Sequence, residues 1–240
     1  MDFQPLHDWS QNPNEAVKLQ YELQPHVNVS KSIGTPQLVT AVDTAYNNKT
    51  NRLYAAAVTL KCPDMTNYER VIAEAEAKFP YIPALLAFRE GPVILKALGR
   101  LKTRPDVVIY PGHGLAHPRG IGMASHLGLI TGIPSIGCAR RCLAGDYRRP
   151  AQEKGGCSSL FISDVESGFV YRTKENVKPI FISPGHMCTI RDAFDIIIEC
   201  LTDYRMPEPL RLAHLFANKY KHSAEKKAMQ RQITAGHETG

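Results

Sequence analysis

Apolar and polar positions alternate in a way that divides the first half of the chain into helices and a hairpin. From Asn14 to Leu23, apolar residues recur at helical spacing and predict a short helix packed on the body. The apolar segments Leu38–Tyr46 and Leu53–Leu60 flank a short polar turn and predict two paired strands. A long helix is expected from Tyr81 to Leu101, with Gly91-Pro92 kinking it or resetting its start.

The second half of the chain alternates short apolar strands with helices. Strands are predicted at Val107–Tyr110, Pro134–Ala139, Leu160–Ser163, Phe169–Arg172 and Pro179–Ser183. Helices are predicted at Ile121–Ile130, Ile190–Leu201 and Leu210–Tyr220. Thr189 and Asp192 form an approximate capping box at the start of the second of these helices. The mixed order of elements indicates an α/β fold with a central mixed sheet flanked by helices.

Length and composition indicate one domain. The chain has 240 residues, of which 43% are hydrophobic, and this is enough for a single compact core. We place the domain at residues 1–220 and expect the polar, lysine-rich residues 221–240 to form a mobile tail. The first 30 residues lack a signal-peptide pattern, and no apolar run approaches the roughly 18 residues of a membrane span.

Charge and cysteine content narrow the class of protein only slightly. The formal net charge of +6 favours a polyanionic partner, although many proteins are this basic without binding nucleic acid. The six cysteines are scattered and lack the paired spacing of a zinc site. Reduced thiols and a cytoplasmic location are therefore expected.

Asp43 is a carboxylate in the middle of a predicted strand. Its neighbours on the same strand face, Val39, Ala41 and Ala45, are all apolar. Burying a lone aspartate costs several kcal/mol unless it is paired or binds a metal. The alternative is that this strand face is exposed, or that Asp43 ends the strand as a turn cap.

Glu90 is a comparable carboxylate on the long predicted helix. Arg89, Lys96 and Arg100 mark the solvent side, and Glu90 is rotated by about 100° from that line, among apolar residues. A boundary salt bridge with a neighbouring arginine would explain Glu90 taken alone. If Asp43 and Glu90 converge, however, they could bind a hard cation such as Mg²⁺. Such a cation can activate water and stabilise charge on a phosphate under attack.

Several motifs in fixed order give the chain a family resemblance. The segment Phe79–Pro92, FPYIPALLAFREGP, closely resembles a motif of the endonuclease V family. Further matches follow the family's order at Leu6–Trp9, Pro105–Val108, Gly112–Pro118, Ala124–Gly128, Ile133–Gly137, Ser183–His186 and Pro207–His214. The resemblance extends to about Lys219. It implies a ribonuclease H-like fold and a deoxyinosine 3′-endonuclease that acts in DNA repair.

The resemblance also implies roles for individual residues. Asp43 and Glu90 correspond to two of three acidic Mg²⁺ ligands, and His126 and His214 to positions near the metal. The expected catalytic residues are Asp43, Glu90, Arg140 and His214. Tyr81 corresponds to a wedge that fills the gap left by a flipped base. The remaining nucleic-acid-binding positions are Leu86, Gly112, His117 and His126. Any one of these histidines alone would more often be structural, but as a group inside motifs they favour function.

Three positions depart from the family pattern. Pro111 stands where the third acidic ligand is expected, and a proline side chain has no ligand atom. Arg140 replaces a catalytic lysine; it keeps the positive charge but cannot carry a proton. Ala84 replaces a glycine in the loop that, with the backbone around Leu86 and Gly112, forms the pocket for an everted hypoxanthine in relatives. Its extra methyl would either narrow that pocket or be absorbed.

Two functions therefore stay open. The first is a monomeric nuclease that uses Mg²⁺, with Mn²⁺ able to substitute, and cuts DNA or RNA at the second phosphodiester bond 3′ to inosine. The second is a weakened or inactive homologue that still binds such nucleic acid, because Pro111 removes a ligand. That Pro111 is a laboratory substitution or a lineage variant is a third possibility, and the accompanying changes at Arg140 and Ala84 argue mildly against a single engineered change.

Overall fold

The predicted hairpin forms two neighbouring strands of the central sheet. The computed structural model describes residues 1–9 and 12–237, with strand β1 at Leu38–Asn47 and strand β2 at Arg52–Lys61. All residues of β2 between its two ends are buried. A strand covered by helices on both faces needs such a continuous apolar run, and the hairpin is confirmed.

The other elements complete a mixed sheet. In chain order they are α1 (Pro13–Leu23), β3 (Thr66–Glu76), α2 (Leu86–Gly99), β4 (Val107–Tyr110), α3 (Met123–Thr131), β5 (Ser135–Ala139), β6 (Asp146–Tyr147), β7 (Cys157–Ile162), β8 (Val165–Tyr171), β9 (Ile180–Pro184), α4 (Ile190–Glu199) and α5 (Glu208–His237). In the described part of the chain, the strands lie in the order β3-β2-β1-β4-β5-β9-β8-β7-β6. Strands β1, β4 and β5 are parallel, and the other neighbours are antiparallel.

Helices cover both faces of this sheet. Helices α2 and α3 pack on the face that carries Val42 and Tyr110. Helices α4 and α5 pack on the face that carries Ala41 and Ile109. Because adjacent strand residues point to opposite faces, Asp43 belongs to the α4/α5 face. The predicted α/β fold, a central mixed sheet flanked by helices, is confirmed.

Near the site, the structure differs from the predicted elements at helix α2 and strand β3. Helix α2 begins at Leu86 and not at Tyr81, because Pro80 and Pro83 hold the preceding segment in a loop. Pro92 lies inside α2 and does not reset its start. The edge strand β3 is absent from the predicted elements, because its many charged residues obscure the short apolar face of Val71, Ala73 and Ala75 that packs on the core.

The last helix is longer than predicted. The predicted end at Tyr220 is wrong, since α5 continues to His237. No proline or glycine interrupts residues 210–235, and this stretch is rich in good helix formers. The mobility of residues 221–240 stays a prediction, and residues 238–240 lie outside the described residues. Among the helices that the structure describes, none has the length and apolar character to cross a membrane.

Candidate active site

The parallel pairing of β1 with β4 sets the position of the expected ligands. The two strands pair Val39 with Val107 and Ala41 with Ile109. The same register, continued by two residues, brings Asp43 level with Pro111, and both residues line one cavity of about 560 Å³. The position that lacks a carboxylate is therefore next to the carboxylate that is present.

This cavity collects most of the predicted site residues. It is lined by Asp43, Tyr81, Leu86, Gly112, His117, Arg140 and His214, together with Pro111. Glu90 lies just behind the lining and is hydrogen-bonded to Thr44, which does line the cavity. His126 lies elsewhere.

Asp43 is a largely buried carboxylate inside β1. Its side chain is 15% exposed, and the strand continues to Asn47, so neither the exposed face nor the strand-end cap applies. Its Oδ1 accepts from the Thr44 backbone N–H at 2.9 Å, and its Oδ2 lies 2.6 Å from His214 Nδ1. Burial raises the pKa of Asp43, and these two partners with the charge of Arg140 offset only part of this increase.

Glu90 approaches the site from α2, on the opposite face of the sheet. Burial raises the pKa of Glu90 to about 7, helped by the nearby charge of Asp43, while hydrogen bonding to Thr44 lowers it. Arg89, the suggested salt-bridge partner, instead donates to the Phe79 carbonyl at 2.6 Å and lies over the Tyr46 ring. Two carboxylates whose ionisation is opposed by burial form a site that a cation would stabilise.

The side chains available as ligands limit how a cation could be bound at this site. Among the residues whose side chains the structure describes, no group of three or more His, Cys, Asp or Glu is arranged to hold a metal ion. Magnesium commonly takes one or two protein carboxylates and completes its shell with water and substrate phosphate. Asp43 and Glu90 therefore fit a phosphate-assisted Mg²⁺ site and not a site closed by protein ligands alone.

Arg140 makes one side of the cavity basic, and Arg205 supports it from outside the lining. Arg140 follows β5, is exposed, and lies near enough for its charge to lower the pKa of Asp43. Behind it, Arg205 Nη2 donates to the backbone carbonyls of Arg140 and Pro179, both at 2.8 Å. The Arg140 guanidinium favours an anion such as phosphate, and Arg205 fixes the backbone that carries it. Sequence reasoning missed Arg205, because it belongs to no motif and reaches Arg140 only in the fold.

The loop at Ala84 is held by three side chains that converge on one oxygen. The Ala84 carbonyl accepts from Gln20 Nε2 and His117 Nε2, each at 3.0 Å, and from Arg119 Nη2 at 3.1 Å. His117 Nδ1 accepts from the Arg119 backbone N–H, so the ring proton is on Nε2. Burial lowers the pKa of His117 to about 4, which keeps the ring neutral. Gln20 and Arg119 were also missed, although Gln20 shares a helix face with buried Ala16.

Ala84 itself has a left-handed backbone, with φ of 65°. An alanine there costs about 1–2 kcal/mol relative to glycine, whereas glycine loses roughly 0.5–1 kcal/mol more backbone entropy on folding. We expect Ala84→Gly to raise the free energy of unfolding by up to about 1 kcal/mol, and Ala84→Val to lower it by about 1–2 kcal/mol. Denaturant titration measures both, and a valine variant as stable as the glycine variant would contradict the strain.

Tyr81 and His126 have opposite surroundings. Tyr81 is 69% exposed at the cavity rim, which fits a wedge and not the alternative of a core tyrosine. His126 is fully buried on α3 and stacks on Trp9, with ring centroids 5.5 Å apart. The structure does not support His126 as a nucleic-acid-binding residue, because no part of its side chain reaches the surface.

A ribonuclease H-like sheet with a carboxylate on a central strand and a second on a helix packed against that strand is typical of a class of nucleases, and the structure falls in this class. The chain belongs to the endonuclease V family, whose sequence profile matches residues 21–215. It is 43% identical over 219 residues to the endonuclease V of Methanothrix thermoacetophila, and this match covers 91% of this chain and 96% of that protein.

Solved structures show the same fold. The endonuclease V of Streptomyces avermitilis has a TM-score of 0.85 and 36% identity, covering 90% of this chain and 96% of that chain. The endonuclease V of Ciona intestinalis, in complex with a 24mer DNA containing an inosine followed by a ribo-adenosine, has a TM-score of 0.78 and 24% identity. That match covers 88% of this chain and 98% of the Ciona chain. The ribonuclease H-like fold implied by the sequence motifs is confirmed.

Proposed function

We propose that this protein is a Mg²⁺-dependent endonuclease that recognises inosine and hydrolyses the second phosphodiester bond on its 3′ side, with weakened metal binding. The observation that carries the proposal is the cavity in which Asp43, Arg140 and His214 meet, with Glu90 directly behind them. The inosine-containing DNA bound by the Ciona relative supports the choice of substrate. Activity on RNA, a monomeric state and a cytoplasmic role in DNA repair are further expectations.

Asp43 and Glu90 would hold the metal ion. When bound, Mg²⁺ supplies an activated water and stabilises charge on the phosphate. The side chain of Pro111 has no oxygen to complete the set, so water and phosphate oxygens must take more of the coordination shell. We therefore expect weak Mg²⁺ binding and low activity.

The protein's own polar groups act on the phosphate and the proton. The Arg140 guanidinium holds a phosphate oxygen by charge-assisted hydrogen bonds, but it cannot accept a proton. His214 can, and its ring is oriented by Asp43, whose Oδ2 lies 2.6 Å from His214 Nδ1. Asn218 Nδ2 lies 3.4 Å from Nε2 of the same ring. His214 is thus the group placed to accept or supply a proton beside Asp43.

The apolar side of the cavity suits a flipped purine. Ile82, Ala84 and Leu86 line it, and its volume of about 560 Å³ is within the usual range of ligand pockets. Helix α2 begins at Leu86, and the N-cap residue Leu85 has no side-chain oxygen to bond the first turn. Of the first-turn N–H groups, that of Phe88 donates to the Leu85 carbonyl. Those of Leu86 and Ala87 have no partner four residues earlier in the helix, and could donate to the O6 oxygen that distinguishes hypoxanthine from adenine.

Cleavage of an inosine oligonucleotide tests the proposal. With Mg²⁺ we expect slow nicking at the second phosphodiester bond 3′ to inosine, and with Mn²⁺ faster nicking, because Mn²⁺ tolerates a less complete ligand set. Product length on a denaturing gel locates the cut, and the same oligonucleotide with adenine is the control. An inosine strand left intact at high enzyme and Mn²⁺ would rule out the active nuclease.

Pro111 favours a second candidate, a protein that binds inosine-containing nucleic acid without cutting it. A gel-shift titration would then show tight binding with a steep salt dependence and no nicked product. If inosine gives no advantage over a plain duplex, the claim of specific recognition fails.

Tyr81→Ala tests the wedge. Stacking between a base and an aromatic ring contributes about 1–3 kcal/mol, so the variant should lose roughly five- to 150-fold of its affinity for an inosine duplex. Tyr81→Phe keeps the ring and should stay close to the parent. Fluorescence anisotropy without divalent metal measures both, and an alanine variant that binds like the phenylalanine variant would show that Tyr81 is not a wedge.

A further inference from the structure

The N-terminal strap, residues 1–9, lies along helix α2. It precedes the region matched by the family profile, which begins at residue 21. The Met1 nitrogen lies 2.8 Å from the Gly99 carbonyl at the C-terminal end of α2. At the other end, the His7 ring lies 5.6 Å from the ring of Phe88, which is in the first turn of the helix. The strap therefore contacts both ends of the helix that carries Glu90.

A histidine pair fixes the strap to α3. His7 Nε2 and His126 Nε2 are 2.7 Å apart, and His7 Nδ1 lies 2.9 Å from the Asp8 carbonyl. Because a carbonyl only accepts, His7 carries its proton on Nδ1, so its Nε2 accepts from His126 Nε2. Trp9 stacks on the same His126 ring with an interplanar angle of 23°. The strap thus joins α2 to α3 through a partly buried, specific contact.

Gly91 lets the strap reach the backbone of α2. A Cβ at this glycine would lie 2.8 Å from Trp9 Cη2 and 3.2 Å from Leu127 Cδ2, so there is no room for a side chain. The Trp9 ring therefore packs directly against the backbone of α2 at Gly91, the residue after Glu90.

The strap is placed to oppose a repulsion within the site. Glu90 and Asp43 are buried carboxylates within electrostatic reach of one another, and their repulsion tends to separate α2 from β1. Phe88 is two residues before Glu90 and projects about 200° around the helix from it. Contacts of the strap with Phe88 and Gly91 therefore hold α2 in place from sides that Glu90 does not occupy.

We propose that the strap is a positioning element for the carboxylate pair, and that His7 and Trp9 are positioning residues that hold Glu90 close to Asp43. The inference rests on the proposed function, since the pair is taken to bind Mg²⁺. Coupling of this kind is reciprocal. If the docked strap strengthens Mg²⁺ binding, Mg²⁺ must strengthen docking of the strap by the same factor.

The sequence supplies its own probe for this coupling. Trp9 is the single tryptophan of the chain, so intrinsic fluorescence reports on the strap alone. In the full-length protein, saturating Mg²⁺ should decrease quenching of Trp9 by acrylamide. Asp43→Asn, which removes a metal ligand far from the strap, should abolish this decrease. Quenching that is unchanged by bound Mg²⁺ would overturn the proposal.

Variants of the strap test the coupling from the other side. Trp9→Ala and His7→Ala should weaken Mg²⁺ binding, measured calorimetrically, on the order of fivefold, the low end of measured coupling factors. Trp9→Phe should restore most of it. Leu6→Ala is the matched control, because Leu6 belongs to the same segment but is 54% exposed. Gly91→Ala displaces Trp9 without changing the strap itself and should reproduce Trp9→Ala.

Thermal unfolding confirms that each variant is folded, and a purely structural strap would lower stability without changing Mg²⁺ affinity. Equal affinity in Trp9→Ala and Leu6→Ala would therefore overturn the proposal. If the parent protein binds no Mg²⁺, the proposed metal-dependent function is wrong, but the positioning role of the strap can still be tested. The Glu90→Gln variant provides that test. Removing the charge should decrease acrylamide quenching of Trp9 without any metal, and unchanged quenching would reject the positioning role.

Discussion

Pro111→Asp is expected to raise Mg²⁺-dependent cleavage of an inosine oligonucleotide by about 10²-fold. A metal ion contributes several kcal/mol to the stabilisation of charge in the transition state, and each 1.4 kcal/mol corresponds to a factor of ten. The new carboxylate would lie level with Asp43, just after the end of the neighbouring strand β4, and face the same cavity. It would also raise Mg²⁺ affinity, so the gain should be largest at low Mg²⁺.

The backbone at this position accepts the change. The Gly112 N–H donates to the Tyr110 carbonyl at 2.8 Å, a tight turn around Pro111 that does not use a proline-specific contact. Tyr110 cannot supply the missing charge, because burial raises the pKa of its hydroxyl far above the physiological range.

Controls for Pro111→Asp separate the new ligand from simple loss of the proline ring. Pro111→Asn has the same shape as the aspartate variant but a neutral oxygen, and Pro111→Ala removes the ring alone. Single-turnover cleavage rates at several Mg²⁺ concentrations compare the three variants. If aspartate gives no more activity than asparagine and alanine, the defect lies elsewhere, and Arg140→Lys becomes the variant to test.

Local pattern was enough to predict most elements of the sheet and the position of Asp43 within one of them. The continuous apolar run of β2 and the capping box at Thr189 are signals carried by adjacent residues, and both are confirmed. The charge-rich edge strand β3 has a weaker signal, since only Val71, Ala73 and Ala75 alternate as an apolar face. Helix α5 was predicted too short, because a polar, lysine-rich composition was taken to indicate a tail.

Contacts across the chain explain the errors at the site. Pro111 lies beside Asp43 because of the register between β1 and β4, and this register cannot be predicted from either segment alone. The Ala84 carbonyl is held by Gln20 and Arg119, which are distant in sequence. His126 is buried because the N-terminal strap covers it. Each of these needs the tertiary structure.

Glu90→Gln is expected to stabilise the metal-free protein by about 2–3 kcal/mol above pH 7, and by little at pH 4.5. Burial raises the pKa of Glu90 from its ordinary value of 4.5 to about 7. Between these two pH values the folded state keeps a proton that the unfolded chain releases. The free energy of unfolding of the parent therefore decreases as pH rises through this window. The glutamine side chain does not titrate, so the variant shows no such decrease.

Denaturant titrations of parent and variant at pH 5 and pH 8, both in EDTA, measure this difference. Buried His117 and His126, whose lowered pKa values destabilise the fold as pH falls, are present in both proteins and cancel in the comparison. Glu153→Gln, at an exposed site, is the matched control and should show no pH-dependent gain. A stability difference that is the same at both pH values would contradict the buried charge.

The same substitution should abolish metal-dependent cleavage, because it removes one of the two carboxylates left in the site. A variant that is more stable and inactive would show that the fold retains the buried carboxyl of Glu90 for activity at the expense of stability, a trade-off common at active sites. Such a cost is reduced once a cation binds between the carboxylates. Added Mg²⁺ should therefore stabilise the parent and not the glutamine variant, and the stability difference should shrink as Mg²⁺ is raised.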